Sequence, residues 1–309
     1  MGKFESMANV DGVITNVADA RVPIMDRGFL YGDSIYEVFR TYRGVPLFHD
    51  EHWARFERSA KLAHLTLTIS KDQIINEIRK TVRATNAAEQ KRDVYVRYIV
   101  TRGEGPVDLF PRPELTTRYV IIVKELPEWD SDFLRVGIRL AIPETRRNAT
   151  NALDPNIKGG NYMNNVLGII EARMLGADDC VMLSDSGLIT EASTSNVFFV
   201  MRNDNTLVTP AETAGHLRGL TKAAVEKLCV EHDLQLRAED ITMDLLLQTS
   251  ECFLTSSTRE VMPVSSLRLP NGNVMTYPDG GGNVTKQVIG HYKAFIDGYL
   301  QDHEHLRLF

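Results

Sequence analysis

Lys158 stands directly before Gly159-Gly160, at the end of a long irregular stretch and ahead of a helix pattern with an apolar stripe. A lysine held in such a place can be partly desolvated, which favours the neutral, nucleophilic amine, and such an amine forms an imine with an aldehyde. Taken alone it is one of 35 basic residues, and a solvated surface group is the commoner fate of a lysine. Gly219-Leu220-Thr221 opens a helix pattern, where free backbone N–H groups and the helix dipole form a ready anion site and Thr221 adds a hydroxyl. An ordinary helix start would read the same way. Thr255-Ser256-Ser257-Thr258 ends a strand pattern with several hydroxyls and amides, and is equally readable as a polar loop. Arg55 lies about 200° round its helix from Trp53, at about 100° per residue, which by itself suits a solvated face. Glu191, in LITEAST, enters a core strand, where a carboxylate is costly unless paired; a protonated ring nitrogen would be a suitable partner. Tyr95 and Arg97, two apart on a predicted strand, share one face.

The elements that must hold these groups follow from periodicity. Alternation over residues 35–42 predicts a strand, Arg43-Gly44 a turn, and 45–48 its return. Asp50 is placed to cap the next helix, in which Trp53, Phe56, Ala60 and Ala63 recur at helical spacing. A second helix is expected over about 71–86, and strands over 94–101 and 119–123. The polar segment ELPEWDSDF contains Pro127 and separates two runs of strands. It sets the expected domains: 1–124 a small N-terminal α/β domain, 125–134 an interdomain loop, and 135–309 a larger C-terminal domain. In the latter, a strand at 136–142 and a loop at 143–157 lead to Lys158, and a helix at 161–175 stops at Gly176. Strands are expected at 180–183, 196–200, 207–209 and 252–255, with helices from 219 to about 231 and over 283–300.

The composition excludes several classes of function. The chain has 309 residues, 43% hydrophobic and 25% charged, as expected for a globular protein with a substantial core. Its formal charge of -6 and lack of a basic block argue against nucleic acid as a partner. Three widely separated cysteines, Cys180, Cys229 and Cys252, fit a reduced, cytoplasmic setting and no metal spacing. No apolar run approaches the roughly 20 residues needed to span a bilayer, and the start carries no signal-type core. Met1-Gly2 is a weak match to a myristoylation start. His49 and His52 are spaced like a weak metal pair and read better as residues of a helix start, so no metal is expected. Asn148-Ala-Thr150 and Asn283-Val-Thr285 match glycosylation acceptors that stay silent in the cytoplasm.

Taken together, the segments DRGFLYGDSIYEVFR, HWARFERSAKL, IKGGNYMNNVLGIIEAR, GLITEASTSNVFFV, HLRGLTKAAV and SSTREVMPV resemble, in order and spacing, the class IV (fold-type IV) aminotransferases. That pyridoxal-5′-phosphate-dependent family includes branched-chain and D-amino-acid aminotransferases, R-selective amine transaminases and aminodeoxychorismate lyases. The resemblance implies an α/β fold of two domains, the smaller N-terminal, with the cofactor between them, and a homodimer. It also implies residue roles. Lys158 carries the cofactor as a Schiff base and moves the proton between the substrate α-carbon and the cofactor. Glu191 keeps the pyridine nitrogen protonated so that the ring acts as an electron sink. Tyr162 hydrogen-bonds the phenolic oxygen. Arg55, the backbone at Leu220 and Thr221, and the hydroxyls of Thr221 and Ser257 hold the phosphate. Amides at Ser257 and Thr258 receive the substrate carboxylate.

For the substrate, the resemblance places Tyr36, Arg40, Tyr95, Arg97, Thr258 and Arg259 in the pocket. Tyr95-x-Arg97, with Arg40 closing the YEVFR string, matches the branched-chain type. That match implies a donor such as a branched-chain L-amino acid and a 2-oxo acid acceptor such as 2-oxoglutarate or pyruvate, with arginine reading a distal carboxylate. The alternative is that both arginines pair with nearby acids. Two departures keep D-amino-acid or R-amine transamination open: Val38 stands where the branched-chain type has glycine, and Arg259 stands where small residues are common. The loop TRGEGPVDLFPR carries no Arg-x-His carboxylate trap of the D-amino-acid type. The Lys158-Gly159 string departs from the lyase pattern, and intact Lys158, Glu191, Arg55 and Thr221 argue against a non-catalytic domain that binds a phosphate ligand.

Overall fold

The computed structural model describes residues 3–127, 129 and 131–309. Met1-Gly2 of the myristoylation match, and Glu128 and Asp130 of the expected junction, lie outside the described residues. The chain forms two compact units. One takes Met1–Pro127, Ile157–Asn161 and Asp297–Phe309; the other takes Glu128–Asn156 and Tyr162–Ile296. Two stretches that a linear division gives to the second domain therefore group with the first, and one of them carries Lys158.

The first unit is built on β1 (Met7–Val10), β2 (Val13–Asn16), β3 (Ser34–Tyr42), β4 (Val45–Pro46), β5 (Val94–Thr101) and β6 (Arg118–Glu125), in the order β2-β1-β6-β5-β3-β4. Its helices are α1 (Arg27–Tyr31), α2 (His49–Leu62), α3 (Lys71–Arg83) and α4 (Ala87–Gln90). The β1–β2 hairpin was not anticipated, although Asp11-Gly12, both at positive φ, is a strong hairpin turn. Strand β5 alternates: Val94, Val96, Tyr98 and Val100 are buried, while Tyr95, Arg97 and Ile99 on the other face are half-buried. The buried face joins Ile35, Phe39, Phe56, Ile74, Ile78 and Ile121 in the core beneath α2 and α3, each worth about 1.5–3 kcal/mol of transfer energy.

Asp50 does not cap α2. The N-cap is Phe48, at φ 57, without a side-chain bond, and Asp50 sits in the first turn against His49 and Lys71. The expected helix at 71–86 ends at Arg83, and a short turn of helix, α4, follows. Its start is secured by Ser70 and Gln73, each side chain bonding the other's backbone N–H.

The second unit contains α5 (Ser131–Arg135), β7 (Ile138–Ala141), α6 (Met163–Met174), β8 (Asp179–Leu183), β9 (Ile189–Ala192), β10 (Asn196–Met201), β11 (Leu207–Pro210), α7 (Leu220–Glu231), β12 (Leu236–Glu239), α8 (Met243–Leu246), β13 (Thr249–Ser256), β14 (Glu260–Arg268), β15 (Val274–Thr276) and the start of α9 (Asn283–Asp302). The sheet runs β12-β11-β10-β13-β14-β7-β8-β9, with β15 on β14. Strands β8 to β11 are buried on both faces, which explains the continuous apolar runs of β8 and β10. Strand β9 escaped the periodicity reading because two of its four residues, Thr190 and Glu191, are polar although buried. Among the described residues, no helix is long and apolar enough to cross a membrane.

Candidate active site

In the first unit, Lys158 is positioned by strand addition. The first half of β3 has an edge that β4, which pairs only with Thr41 and Tyr42, does not cover. Residues 158–160 occupy it: the Tyr36 amide donates to the Lys158 carbonyl at 2.9 Å, and the Gly160 amide donates to the Ser34 carbonyl at 2.9 Å. Gly159 bridges Ile35. The paired glycines permit this approach, since a Cβ on Gly160 would lie 2.2 Å from Ser34 Oγ. The Lys158 amide donates to Ser59 Oγ at 3.1 Å, and Ser59 in turn donates to the Arg55 carbonyl at 3.0 Å. The lysine's backbone is thus tied to both β3 and α2.

Its side chain meets Tyr36. Lys158 Nζ lies 3.4 Å from the Tyr36 hydroxyl and 4.6 Å from the ring centroid. Arg97 stacks its guanidinium on the same ring at 3.8 Å. Val38 pairs with Arg97 and Arg40 with Tyr95 across β3 and β5, so Tyr36, Val38, Arg40, Tyr95 and Arg97 occupy one sheet face. Arg40 stacks on Tyr42 at 4.3 Å. Among the described residues, Arg97 forms no ion pair with an acid.

Arg55 is not on a solvated face. It is buried at 4% exposure, and its Nε and Nη2 fork onto the two oxygens of Glu37, each at 2.7 Å. Burial pushes the Glu37 carboxyl up, but the charges and hydrogen bonds of Arg55 and His52 outweigh it and hold Glu37 well below the carboxylate range. His52 places Nδ1 2.6 Å from Glu37 Oε2. Because Glu37 is ionised, that nitrogen is the donor. Burial pulls His52 down, against the pull of Glu37.

In the second unit, Glu191 is buried on β9. Arg147 places Nε and Nη2 3.0 Å from its Oε1, and the Leu217 amide donates to Oε2 at 3.2 Å. Leu217 is in turn held by Asn196, whose Nδ2 donates to its carbonyl at 2.9 Å. Asn196 pairs with Thr255 across β10 and β13, and Gly219 packs so closely on Asn196 that a Cβ there would come within 1.9 Å of Oδ1. Glu191, the Gly219-Leu220-Thr221 start of α7 and the end of β13 are therefore one assembly. Gly219 caps α7 without a side-chain bond, and the buried hydroxyls of Thr221 and Thr255 have no hydrogen-bond partner among the described residues. Buried polar atoms of this kind carry a free-energy cost unless something fills the gap. Ser257 and Thr258 form the tight turn from β13 to β14, and Tyr162 is the half-buried N-cap of α6.

Arg259 is largely buried rather than facing solvent. Its guanidinium pairs with fully buried Asp179 and lies 5.1 Å from the Trp129 ring centroid. The pair satisfies a carboxylate that would otherwise be buried without a counter-charge. Sequence reasoning also missed Glu37, Arg147, Leu217 and Asn196. Only Glu37 left a trace, as a carboxylate on the all-buried phase of β3; Arg147 sits in an irregular loop with no period to read.

The family described as "Amino-transferase class IV" matches residues 34–267. The chain belongs to the class IV aminotransferases. A putative branched-chain-amino-acid aminotransferase of Methanocaldococcus jannaschii is 32% identical, covering 92% of this chain and 94% of that protein. A D-alanine aminotransferase of Bacillus licheniformis is 31% identical over 83% of this chain and 87% of its own length. The crystal structure of the Escherichia coli branched-chain amino acid aminotransferase superposes with a TM-score of 0.83 at 26% identity, covering 92% of each chain. The enzyme is thus an aminotransferase of a pyridoxal-phosphate-dependent family. The Thr221 and Thr255 hydroxyls, unpartnered among the described residues, and the α7 start, which has no side-chain cap, fit a phosphate, so the residues present suit that cofactor.

Proposed function

We propose that the enzyme transfers the amino group of a branched-chain L-amino acid to a 2-oxo acid such as 2-oxoglutarate or pyruvate, using pyridoxal 5′-phosphate. One observation carries the substrate reading: Arg97 is a half-buried cation that forms no ion pair among the described residues, stacked on the tyrosine whose hydroxyl approaches Lys158. A cation so placed is suited to the distal carboxylate of glutamate or 2-oxoglutarate. Val38 and Ile99 on the same sheet face supply the apolar surface a branched side chain needs.

When bound, the cofactor supplies an aldehyde that receives the amino group and a ring that stores the electron pair released at the donor's α-carbon. Lys158 Nζ, with the Tyr36 hydroxyl beside it, would take the proton from the donor's α-carbon and, in the second half of the reaction, deliver a proton to the α-carbon of the 2-oxo acid. Glu191, oriented by Arg147 and the Leu217 amide, holds the proton on the ring nitrogen. The amides at Leu220 and Thr221, the hydroxyls of Thr221 and Ser257, and Arg55 hold the phosphate, and Tyr162 bonds the phenolic oxygen. The amides of Ser257 and Thr258 receive the substrate α-carboxylate. Arg40 and Tyr95 complete the first unit's substrate face.

A homodimer belongs to this reading. Met163, Val166, Leu167, Ile170 and Met174 form an exposed apolar stripe along α6, and Val107, Leu109 and Phe110 are exposed together; a second copy would cover them. The three cysteines are free and buried, in keeping with a reducing, cytoplasmic setting.

D-amino-acid transamination is the second reading, favoured by Val38 and by the D-alanine aminotransferase relative. The test is kcat/KM for L-leucine, L-valine, D-alanine and (R)-phenylethylamine, each with 2-oxoglutarate and with pyruvate. Preference for the branched L-amino acids is expected. Preference for D-alanine would replace this reading with the second, preference for the amine would replace it with R-amine transamination, and a protein that stays colourless with pyridoxal phosphate would reject all three.

A further inference from the structure

We propose that Glu37, braced by His52, is a positioning residue that aims Arg55 at the cofactor phosphate. The inference rests on the reading of Arg55 as a phosphate contact. Glu37 lies on the face of β3 that packs under α2, between the core residues Ile35 and Phe39. Its side chain is fully buried, with Arg55 at 5% and His52 at 2% exposure. A guanidinium on a flexible stem is free to rotate about its last bonds; a two-point fork onto a carboxylate fixes its plane. Here both carboxylate oxygens are engaged by Arg55, and the second is engaged again by His52, so the carboxylate cannot turn without breaking a bond. The same turn of α2 is tied to Lys158 through the Ser59 hydroxyl. The carboxylate that orients Arg55 therefore sits in the structure that also fixes the backbone of the reactive lysine.

A buried ion pair is a poor source of net stability, because the desolvation of both charges consumes most of the attraction. Glu37 also opposes a phosphate electrostatically, since it neutralises the charge that would attract it. Its value to the site is geometric. The two effects have opposite signs, which makes the inference testable.

The experiment uses the full chain freed of cofactor, titrated with pyridoxal phosphate and with pyridoxal, which lacks the phosphate. Glu37→Gln is expected to weaken pyridoxal phosphate about 10-fold or more, in line with a charge-assisted bond lost, while pyridoxal changes less than about 2-fold. Equal weakening of both ligands would make Glu37 merely structural, and tighter phosphate-ligand binding would make it a competing charge; either overturns the inference. Arg55→Lys separates the two readings. If it leaves the preference for the phosphorylated ligand intact, the phosphate reading of Arg55 fails and this inference with it. If it removes that preference while Glu37→Gln does not, only the positioning role fails. Should Glu37→Gln not fold, Glu37→Asp, which keeps the charge but withdraws the fork, and His52→Asn, which removes only the brace, are each expected to lower the same preference, His52→Asn the less; no change in either overturns the role.

Discussion

Replacing Arg147 by methionine isolates the interaction that orients Glu191. Methionine keeps the aliphatic stem and removes the guanidinium, whose Nε and Nη2 both lie 3.0 Å from Glu191 Oε1. The two side chains are 14% and 8% exposed, so the pair is screened little by solvent. Breaking such a pair from one side costs about 3–5 kcal/mol, because the remaining charge is left buried. The Leu217 amide still serves Oε2, which places the expected loss near the lower end, about 3 kcal/mol, or a fall in Tm of about 5–10 °C. Glu191→Gln alone strands Arg147 instead and should also destabilise. The double variant removes both charges, so its loss should fall short of the sum of the single losses by about 2 kcal/mol. Thermal and urea unfolding of the four proteins at one pH gives this coupling directly. A coupling below about 0.5 kcal/mol would refute the claim that Arg147 holds Glu191. In turnover, Glu191→Gln should lower kcat by about 100-fold or more, because the preorganised charge is lost.

Arg97→Ala should raise KM for glutamate about 10- to 100-fold while changing KM for leucine little, since only the distal carboxylate loses its partner; equal effects on both would reject that role. Burial, aided by the charges of Lys222 and Arg218, pushes His216 down to about 4. The unfolded chain then takes up a proton that the folded state refuses, so stability present above about pH 6.5 is lost as pH falls toward 4, by up to about 3 kcal/mol. His216→Asn should flatten that part of the urea-stability profile against pH; an unchanged slope would show that His216 does not cause it. Gly160→Ala drives a Cβ into Ser34 Oγ and should displace Lys158, lowering cofactor loading as read by visible absorbance. Adding Ser34→Ala should restore the loading, and failure to do so would mean that another contact excludes the methyl group.

Much of the site was legible before folding because its chemistry is carried by local strings. Lys158 before two glycines, Thr221 at a helix start and the alternation of β5 each encode a local conformation, and local conformation is what short-range sterics and periodicity determine. The same rules placed Tyr95 and Arg97 on one face, where they are found. What alternation could not supply was the partner of each charge. Arg55 reads as a solvated helix residue until β3 brings Glu37 beneath it, and the string around Arg259 does not show that β8 brings Asp179 to it. A buried charge is satisfied by whatever lies within about 3 Å in space, and that neighbour is set by the packing of distant segments. The sequence by itself thus determined the strands, the helix starts and the kinds of chemistry available. Tertiary structure alone decided that residues 158–160 would join the edge of β3 and that Arg97 would stack on Tyr36, because each of these depends on contacts between segments tens of residues or more apart in the chain.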